Sequence, residues 1–401
     1  MQKNLFIIPF FILISSCGLL KNSINTKEEI LEFHQNSILV DTHNDVMIRV
    51  VENGEDISKL TSKGHSDLSR FKTGGVDLQI FSVWLDPNYE KSNPYQQTNK
   101  IIDSVISFAE KNPNDIIFVK NFSDIKRTIK EKKFGALIGI EGGHPIENDL
   151  QKLENLYNRG TRYLALTWNN STSWASSARD EAQDTLNQKQ KGLTEFGKNV
   201  VKKMNQLGMI IDVSHVGEKT FNDIISISED PIIASHSCVY NISPHFRNLK
   251  DYQIKSIAKN GGVIFLNFYA GFLDSTFQKN YNNLFKEKKY LFDSLHSVYK
   301  NDSMKVEFMV WDLLKGDREN ILPPLKVIVD HIDYIKNLTG SVDNIGFGAD
   351  FDGADAFPHG IVDVTSYPKL TEELFLRGYS KMEIRKILGL NFLRVFKKVC
   401  G

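Results

Sequence analysis

The chain is poor in cysteine, with three in 401 residues. A disulfide framework is therefore not expected, and a hydrophobic core has to stabilise the fold. Cys238 and Cys400 both lie in apolar surroundings. We predict that they are buried and inert, although separation in sequence does not decide whether they pair.

The chain also lacks net charge, because 49 basic residues balance 49 acidic ones. This balance gives no electrostatic support for a nucleic-acid partner. Internal repeats and low-complexity tracts are absent as well. With 41% hydrophobic and 24% charged residues, the composition is that of an ordinary globular protein.

The N-terminal apolar run, Leu5–Ile14, is too short to cross a bilayer as a stable helix. It follows Lys3 and precedes Ser16 and Cys17, a pattern that is typical of a secretory signal and resembles the cleavage site of bacterial lipoproteins. We therefore predict a lipoprotein signal peptide at 1–16, a lipid anchor on Cys17 and a tether over 17–32. The mature protein would be exported and anchored to a membrane outside the cytoplasm. An ordinary cleaved signal with an incidental cysteine is the alternative.

Short apolar, mostly β-branched runs recur along the rest of the chain and alternate with amphipathic helical patterns. Eight of these runs are predicted strands: Ile38–Asp41, Val76–Val83, Ala136–Glu141, Tyr163–Thr167, Met209–Ser214, Pro231–Ser235, Gly262–Asn267 and Asn344–Gly348. Helices are predicted at Gln96–Glu110, Asp149–Arg159, Thr194–Leu207, Glu218–Ser228, Lys250–Lys259, Leu325–Leu338 and Ser380–Lys398. This alternation predicts an α/β fold, a (β/α)₈ TIM barrel that forms a single catalytic domain over 33–401.

One connection, residues 271–322 after the seventh strand, is far longer than the usual ~2–6 residues. Long connections at the carboxyl ends of strands often form lids or binding loops. We give equal weight to two interpretations of this segment. It forms a lid over the active-site face, or it forms an extra helical hairpin without a role in substrate choice.

Side chains that can bind metals end or follow four of the predicted strands. His43 and Asp45 follow the first, and together they suit zinc or a similar ion. Glu141 ends the third, and one carboxylate can bridge two metals ~3.5–4 Å apart. His215 and His236 follow adjacent strands and would supply the second metal. Because the carboxyl ends of barrel strands meet on one face, these five residues predict a two-metal centre.

Asp350 follows the eighth strand, where an acid could move a proton or hold a substrate amine. Asp352 is expected to cap the next helix instead. A serine or cysteine triad is not evident. Two divalent ions lower the pKa of bound water and polarise a carbonyl, so the pattern predicts a hydrolase whose nucleophile is a metal-bridging hydroxide.

In this order the motifs resemble the membrane dipeptidase (renal dipeptidase) family of binuclear zinc peptidases, within the amidohydrolase-like superfamily. The resemblance extends from Val40-Asp41-Thr42-His43-Asn44-Asp45 to Asn391-Phe392-Leu393-Arg394-Val395-Phe396. It implies two Zn²⁺ ions, with Glu141 bridging, and small dipeptides as substrates. It also implies that Arg247 holds the substrate carboxylate, which matches its planar fork of donors, and that Asp350 contacts the amine and assists proton transfer.

The chain departs from this family at the end of the fourth strand, where a histidine thought to stabilise the oxyanion is replaced by Trp168. Loss of one such donor typically lowers turnover ~10²–10³-fold. Either Asn169, Asn170 or the metal substitutes for it, or catalysis is slow or altered. We place Trp168 and Asn170 among the substrate-binding residues. Two further functions stay open: an amidohydrolase acting on N-acyl amino acids or small amides, and a catalytically weakened surface binding protein. A homodimer is also left open.

Overall fold

The structure is a computed structural model that describes residues 26–85, 92–186, 191–299, 306, 309–310 and 313–401. The predicted signal peptide, Cys17 and most of the tether lie outside the described residues. The described chain contains no helix that is both long and apolar enough to span a membrane.

Eight parallel strands close into a barrel, which confirms the predicted fold. The strands of the described chain are β1 (Leu39–Asn44), β2 (Val76–Trp84), β3 (Ile116–Phe118), β4 (Phe134–Glu141), β5 (Thr161–Ala165), β6 (Ile210–Asp212), β7 (Ile233–Ala234), β8 (Val263–Leu266) and β9 (Ile345–Phe347). The barrel is closed by β9 beside β1 and by β2 beside β4, where Trp84 lies opposite Glu141.

Strand β3 is an addition that the sequence did not predict. It pairs with the first residues of β4, where Ile116 lies opposite Phe134. From Ile138 onward, β4 pairs with β5 instead. A run of three residues is too short to show a strand periodicity.

Helices surround the barrel, and those predicted from the sequence are present with ends shifted by a few residues. They are α1 (Lys27–Gln35), α2 (Val46–Asn53), α3 (Leu68–Thr73), α4 (Pro94–Lys111), α5 (Phe122–Glu131), α6 (Leu150–Arg159), α7 (Ala178–Ala182), α8 (Glu195–Leu207), α9 (Glu218–Ile227), α10 (Asp251–Lys259), α11 (Ala270–Leu273), α12 (Ser275–Glu287), α13 (Lys289–Val298), α14 (Lys315–Glu319), α15 (Lys326–Thr339), α16 (Tyr367–Leu376), α17 (Lys381–Arg385) and α18 (Asn391–Cys400). Residues 27–32, which we expected in the tether, belong to α1, where His34 Nδ1 lies 2.7 Å from Thr371 Oγ1 of α16.

Alternate residues of the strands contribute to two separate cores. One core fills the barrel and contains Val40, Leu78, Ile80, Leu137, Tyr163, Ile210, Ile233, Val263 and Phe265, joined by Phe392, Val395 and Phe396 of α18. The other lies between the strands and the outer helices and contains, among others, Leu39, Phe81, Val83, Ile138 and Ile140.

The C-terminal helix covers the amino-terminal end of the barrel. Arg394 donates to Gly261 O and Asn391 donates to Val342 O, and these acceptors precede β8 and β9. The predicted capping box of Ser380 and Glu383 is present. The predicted single helix is interrupted by a π-helical turn at Lys386–Leu390, so the chain is helical throughout but not as one regular helix.

The described residues of the segment at 271–322 form helices α11 to α14. Its outer part has a small apolar cluster of its own, formed by Leu284, Phe285, Leu291, Phe292, Leu295, Tyr299, Val306, Val310 and Leu314. Among its described residues, Phe272 alone lines the cavity at the carboxyl ends of the strands.

Candidate metal centre

The predicted metal ligands lie at or just beyond the carboxyl ends of the barrel strands. His43 is part of β1 and Asp45 follows it, Glu141 is the last residue of β4, and His215 and His236 follow β6 and β7. All five side chains are buried. The barrel therefore brings together residues that are up to 193 positions apart in the sequence.

Glu141 lies at the centre of this group, with three imidazoles around its carboxylate. Its Oε1 is 2.7 Å from His215 Nε2 and 3.3 Å from His236 Nε2, and its Oε2 is 3.4 Å from His43 Nε2. One oxygen of the carboxylate thus faces His215 and His236, and the other faces His43. This is the geometry that a bridging carboxylate requires.

His43 is oriented by Tyr163 from inside the barrel. The Tyr163 hydroxyl donates to Thr42 O at 3.0 Å and lies 3.1 Å from His43 Nδ1, so it accepts the Nδ1 proton. The tyrosine ring crosses β4 at Gly139, where a Cβ would lie 2.0 Å from a ring carbon. A glycine at this position therefore lets Tyr163 reach His43.

The other two histidines are oriented in the same sense. His215 Nδ1 lies 3.1 Å from Asn169 Oδ1, and His236 Nδ1 lies 2.8 Å from Ser235 Oγ. The Ser235 hydroxyl donates to Asp212 Oδ2 at 2.5 Å, so it too accepts from the imidazole. With the Nδ1 protons held in this way, the Nε2 lone pairs point towards Glu141.

Burial and neighbouring charges lower the pKa of some groups at the site and raise the pKa of others. Burial, with the charge of Arg247 adding to it, lowers the pKa of His215 to about 4. Burial also lowers the pKa of His43, but the charges of Glu141 and Asp45 outweigh it and raise that pKa to about 10. Burial raises the pKa of Asp45, and repulsion by Glu141 adds to the effect. The raised pKa of His43 reflects the negative charge that Asp45, Glu141 and Asp350 concentrate around it, which a bound cation would offset.

These donors fit divalent cations. His43 Nε2 and Asp45 Oδ1 are buried without a hydrogen-bond partner in the part of the chain that the structure describes. Ligand atoms of His43, Glu141 and His236 lie within 4.8 Å of one another, as do those of His43, Asp45 and Asp350. Imidazole nitrogens and carboxylate oxygens are ligands that suit zinc and neighbouring metals.

Asp350 lies at the edge of the centre in a strained turn. Its Oδ1 is 3.9 Å from His43 Nε2, its Oδ2 accepts from Asn267, and its φ is +66°. Gly353 closes the turn, because a Cβ there would lie 2.1 Å from Asp45 Oδ2. Burial raises the pKa of Asp350.

Asp352 does not cap a helix, so that prediction was wrong. Its carboxylate accepts from His65 N at 2.9 Å and lies 3.2 Å from Arg49 Nε. The turn that contains Asp350 is thereby tied to the chain that follows α2.

Arg247 is buried beside the ligands, with 3% of its surface exposed. Its Nη2 donates to His236 O at 3.2 Å, whereas Nε and Nη1 have no partner among the described residues. The guanidinium lies 5.5 Å from the centre of the Phe272 ring. Burial lowers its pKa to about 10, so it stays charged at neutral pH. Two unpaired donors on a buried cation are suited to an anionic group.

A cavity of about 500 Å³ opens onto these groups. Three of the four residues predicted to contact substrate line this cavity, and one does not. Trp168 lines the cavity together with Asp350 and Arg247, whereas Asn170 is absent from its lining and lies 3.4 Å from His144 Nε2. Asn169, considered as a substitute oxyanion donor, turns its carbonyl oxygen towards His215.

Several residues at the site were not predicted from the sequence. Tyr163, Ser235 and Asp212 read as strand residues, and only contacts across the barrel show their link to the histidines. Trp84, the last residue of β2, and Tyr269, just after β8, line the cavity as well. Their positions at the carboxyl ends of strands were the available signal.

Comparison with known proteins is consistent with this geometry. Residues 27–400 match the family model for membrane dipeptidases, peptidase family M19. The fold is similar to that of dipeptidase AC, a metallopeptidase (TM-score 0.74, 24% identity, covering 91% of this chain and 99% of that one). It is similar to the probable dipeptidase PvdM from Pseudomonas aeruginosa (TM-score 0.74, 24% identity, 93% and 98%).

A third similar structure is a metallopeptidase from Rhodobacter sphaeroides bound to a phosphinate mimic of the dipeptide L-Ala-D-Ala (TM-score 0.72, 22% identity, 90% and 99%). At these identities the structural likeness shows a shared fold. The family match, by contrast, covers nearly the whole described chain, and the resemblance seen in the sequence is confirmed. The chain belongs to the membrane dipeptidase family.

Proposed function

We propose that the protein is a zinc-dependent dipeptidase that hydrolyses small dipeptides at a centre of two Zn²⁺ ions. The observation that carries the proposal is the arrangement of three imidazole Nε2 atoms around Glu141, in a cavity that also contains the two unpaired donors of Arg247. His43 and Asp45 would hold one ion, His215 and His236 the other, and Glu141 both. The ions would activate water and polarise the peptide carbonyl.

A cavity lined by both a cation and an acid suits a free dipeptide. Arg247 would bind the terminal carboxylate through its two unpaired donors. Asp350, which lines the same cavity, would contact the amine and move a proton during hydrolysis. A longer peptide lacks one of these charges next to the scissile bond and is therefore a poor substrate.

The proposal is tested with the purified mature chain, zinc and a panel of L,L- and L,D-dipeptides. We expect turnover that a chelator abolishes and zinc restores, and little cleavage of N-acetylated dipeptides. Absence of turnover in a protein with about two bound zinc ions per chain would refute the dipeptidase function. Cleavage of N-acyl amino acids instead would support the related amidohydrolase, because Asp350 would then have no ammonium partner.

A catalytically weakened binding protein is the second candidate, and Trp168 favours it. The indole lines the cavity at the position where the sequence resemblance implies a histidine, and Asn169 Oδ1 lies 3.1 Å from His215 Nδ1. If the lost donor limits catalysis, Trp168→His should raise turnover ~10²-fold. Efficient native turnover that this substitution leaves unchanged would exclude the weakened-enzyme account.

We also propose that Cys17 carries a lipid that anchors the protein to a membrane outside the cytoplasm, as its sequence context suggests. The expected result is that the native protein partitions into detergent and that Cys17→Ala partitions into the aqueous phase. A native protein that stays in the aqueous phase would contradict the anchor.

A further inference from the structure

The cavity has an aromatic wall in addition to its charged groups. Trp84 and Trp168 are in contact, with ring centres 5.3 Å apart, and Tyr269 and Phe272 form a second pair at 5.0 Å. All four residues line the same cavity as Glu141. Four aromatic rings are more than orientation of two charged termini requires.

The tryptophan pair stands directly beside the proposed reacting groups. Trp84 lies opposite Glu141 in the register of β2 with β4. The ring centre of Trp168 is 6.4 Å from that of His215, at an angle of 32°. A side chain next to the scissile bond would therefore meet these indoles.

The remaining lining restricts what that side chain can be. Glu52 and Asp350 line the same cavity, so an acidic side chain near them would be repelled. A cavity of about 500 Å³ is also larger than two alanine residues fill. Aromatic rings bury a large area and form favourable contacts with one another, which makes a neutral ring the best match.

We propose that the preferred substrates are dipeptides with an aromatic or other large apolar side chain, selected by Trp84 and Trp168. This inference rests on the proposed dipeptidase function and specifies its substrate class. Trp168 would then determine specificity.

The test compares kcat/KM of the zinc-loaded protein for Ala-Ala, Phe-Ala, Ala-Phe, Ala-Glu and Ala-Lys. We expect the better phenylalanine dipeptide to exceed Ala-Ala and Ala-Lys by at least ~10-fold and Ala-Glu by more. Trp168→Ala and Trp84→Ala should each remove most of this preference, through a rise in KM for the phenylalanine dipeptides. Trp168→Phe should retain the preference. Tyr290→Ala is the matched control, because Tyr290 is 63% exposed and does not line the cavity.

Equal kcat/KM for Ala-Ala and the phenylalanine dipeptides would overturn the inference, as would a preference for Ala-Lys. A uniform loss for all substrates in the tryptophan variants would also overturn it. Zinc content and melting temperature show whether each variant is folded. If no dipeptide is hydrolysed, calorimetric titration with the same dipeptides separates the two proposals. Tighter binding of the phenylalanine dipeptides would support the aromatic wall without the hydrolysis, and equal binding would overturn both.

Discussion

The Nε2 atoms of His215 and His236 lie 3.0 Å apart, and both face Glu141 Oε1. With their Nδ1 protons held by Asn169 and Ser235, these atoms present two lone pairs to each other. Lone pairs at this distance, next to a carboxylate oxygen, are stabilised by a shared cation.

Metal content is therefore the first prediction. We expect about two zinc ions per chain by elemental analysis, and a sharp fall in His215→Ala because one ion loses an imidazole. His359→Ala removes an exposed histidine and is the control that should keep both ions. Full zinc content in His215→Ala would contradict the ligand assignment.

The second prediction concerns Tyr163, which accepts the Nδ1 proton of His43. Tyr163→Phe keeps the ring in the barrel core and removes only the hydroxyl. We expect zinc affinity to fall about 10- to 100-fold, as is typical when such a partner is lost. Competition with a fluorescent chelator measures this affinity.

Tyr334→Phe is the matched control, because its hydroxyl bonds to Asp251, away from the site. Unchanged zinc affinity in Tyr163→Phe, with a normal melting temperature, would mean that the hydroxyl does not orient His43.

The ligands and their partners differ in how far the sequence could predict them. His43, Glu141, His215 and His236 each end or follow an apolar strand, and a closed parallel barrel brings such positions to one face. Tyr163 and Ser235 lie within or directly after strands and look like ordinary core residues. Their hydrogen bonds cross the barrel, so they depend on strand register, which the sequence does not specify. Trp84 was missed for a related reason, since the last residue of an apolar strand is usually core.

The third prediction separates two roles for Asp350. Its carboxylate is grouped with His43 and Asp45 but also faces the cavity. If it moves a proton and contacts the amine, Asp350→Asn should lower kcat about 10²- to 10⁴-fold and leave zinc content unchanged. Measurement of kcat and of zinc content in the same preparation of Asp350→Asn separates the two roles. Loss of one zinc ion in Asp350→Asn would instead identify a metal ligand.

The fourth prediction concerns Arg247, whose Nε and Nη1 have no partner among the described residues. Arg247→Lys keeps a positive charge but removes the planar fork that matches a carboxylate. We expect kcat/KM for dipeptides to fall about 10²- to 10³-fold, mainly through KM, with zinc content unchanged. Dipeptide amides provide the internal control, because they lack the carboxylate. If Arg247 binds that group, the native protein should cleave amides poorly and the substitution should change their kcat/KM little. An equal loss for free dipeptides and their amides would show that Arg247 supports the site through His236 rather than through the substrate.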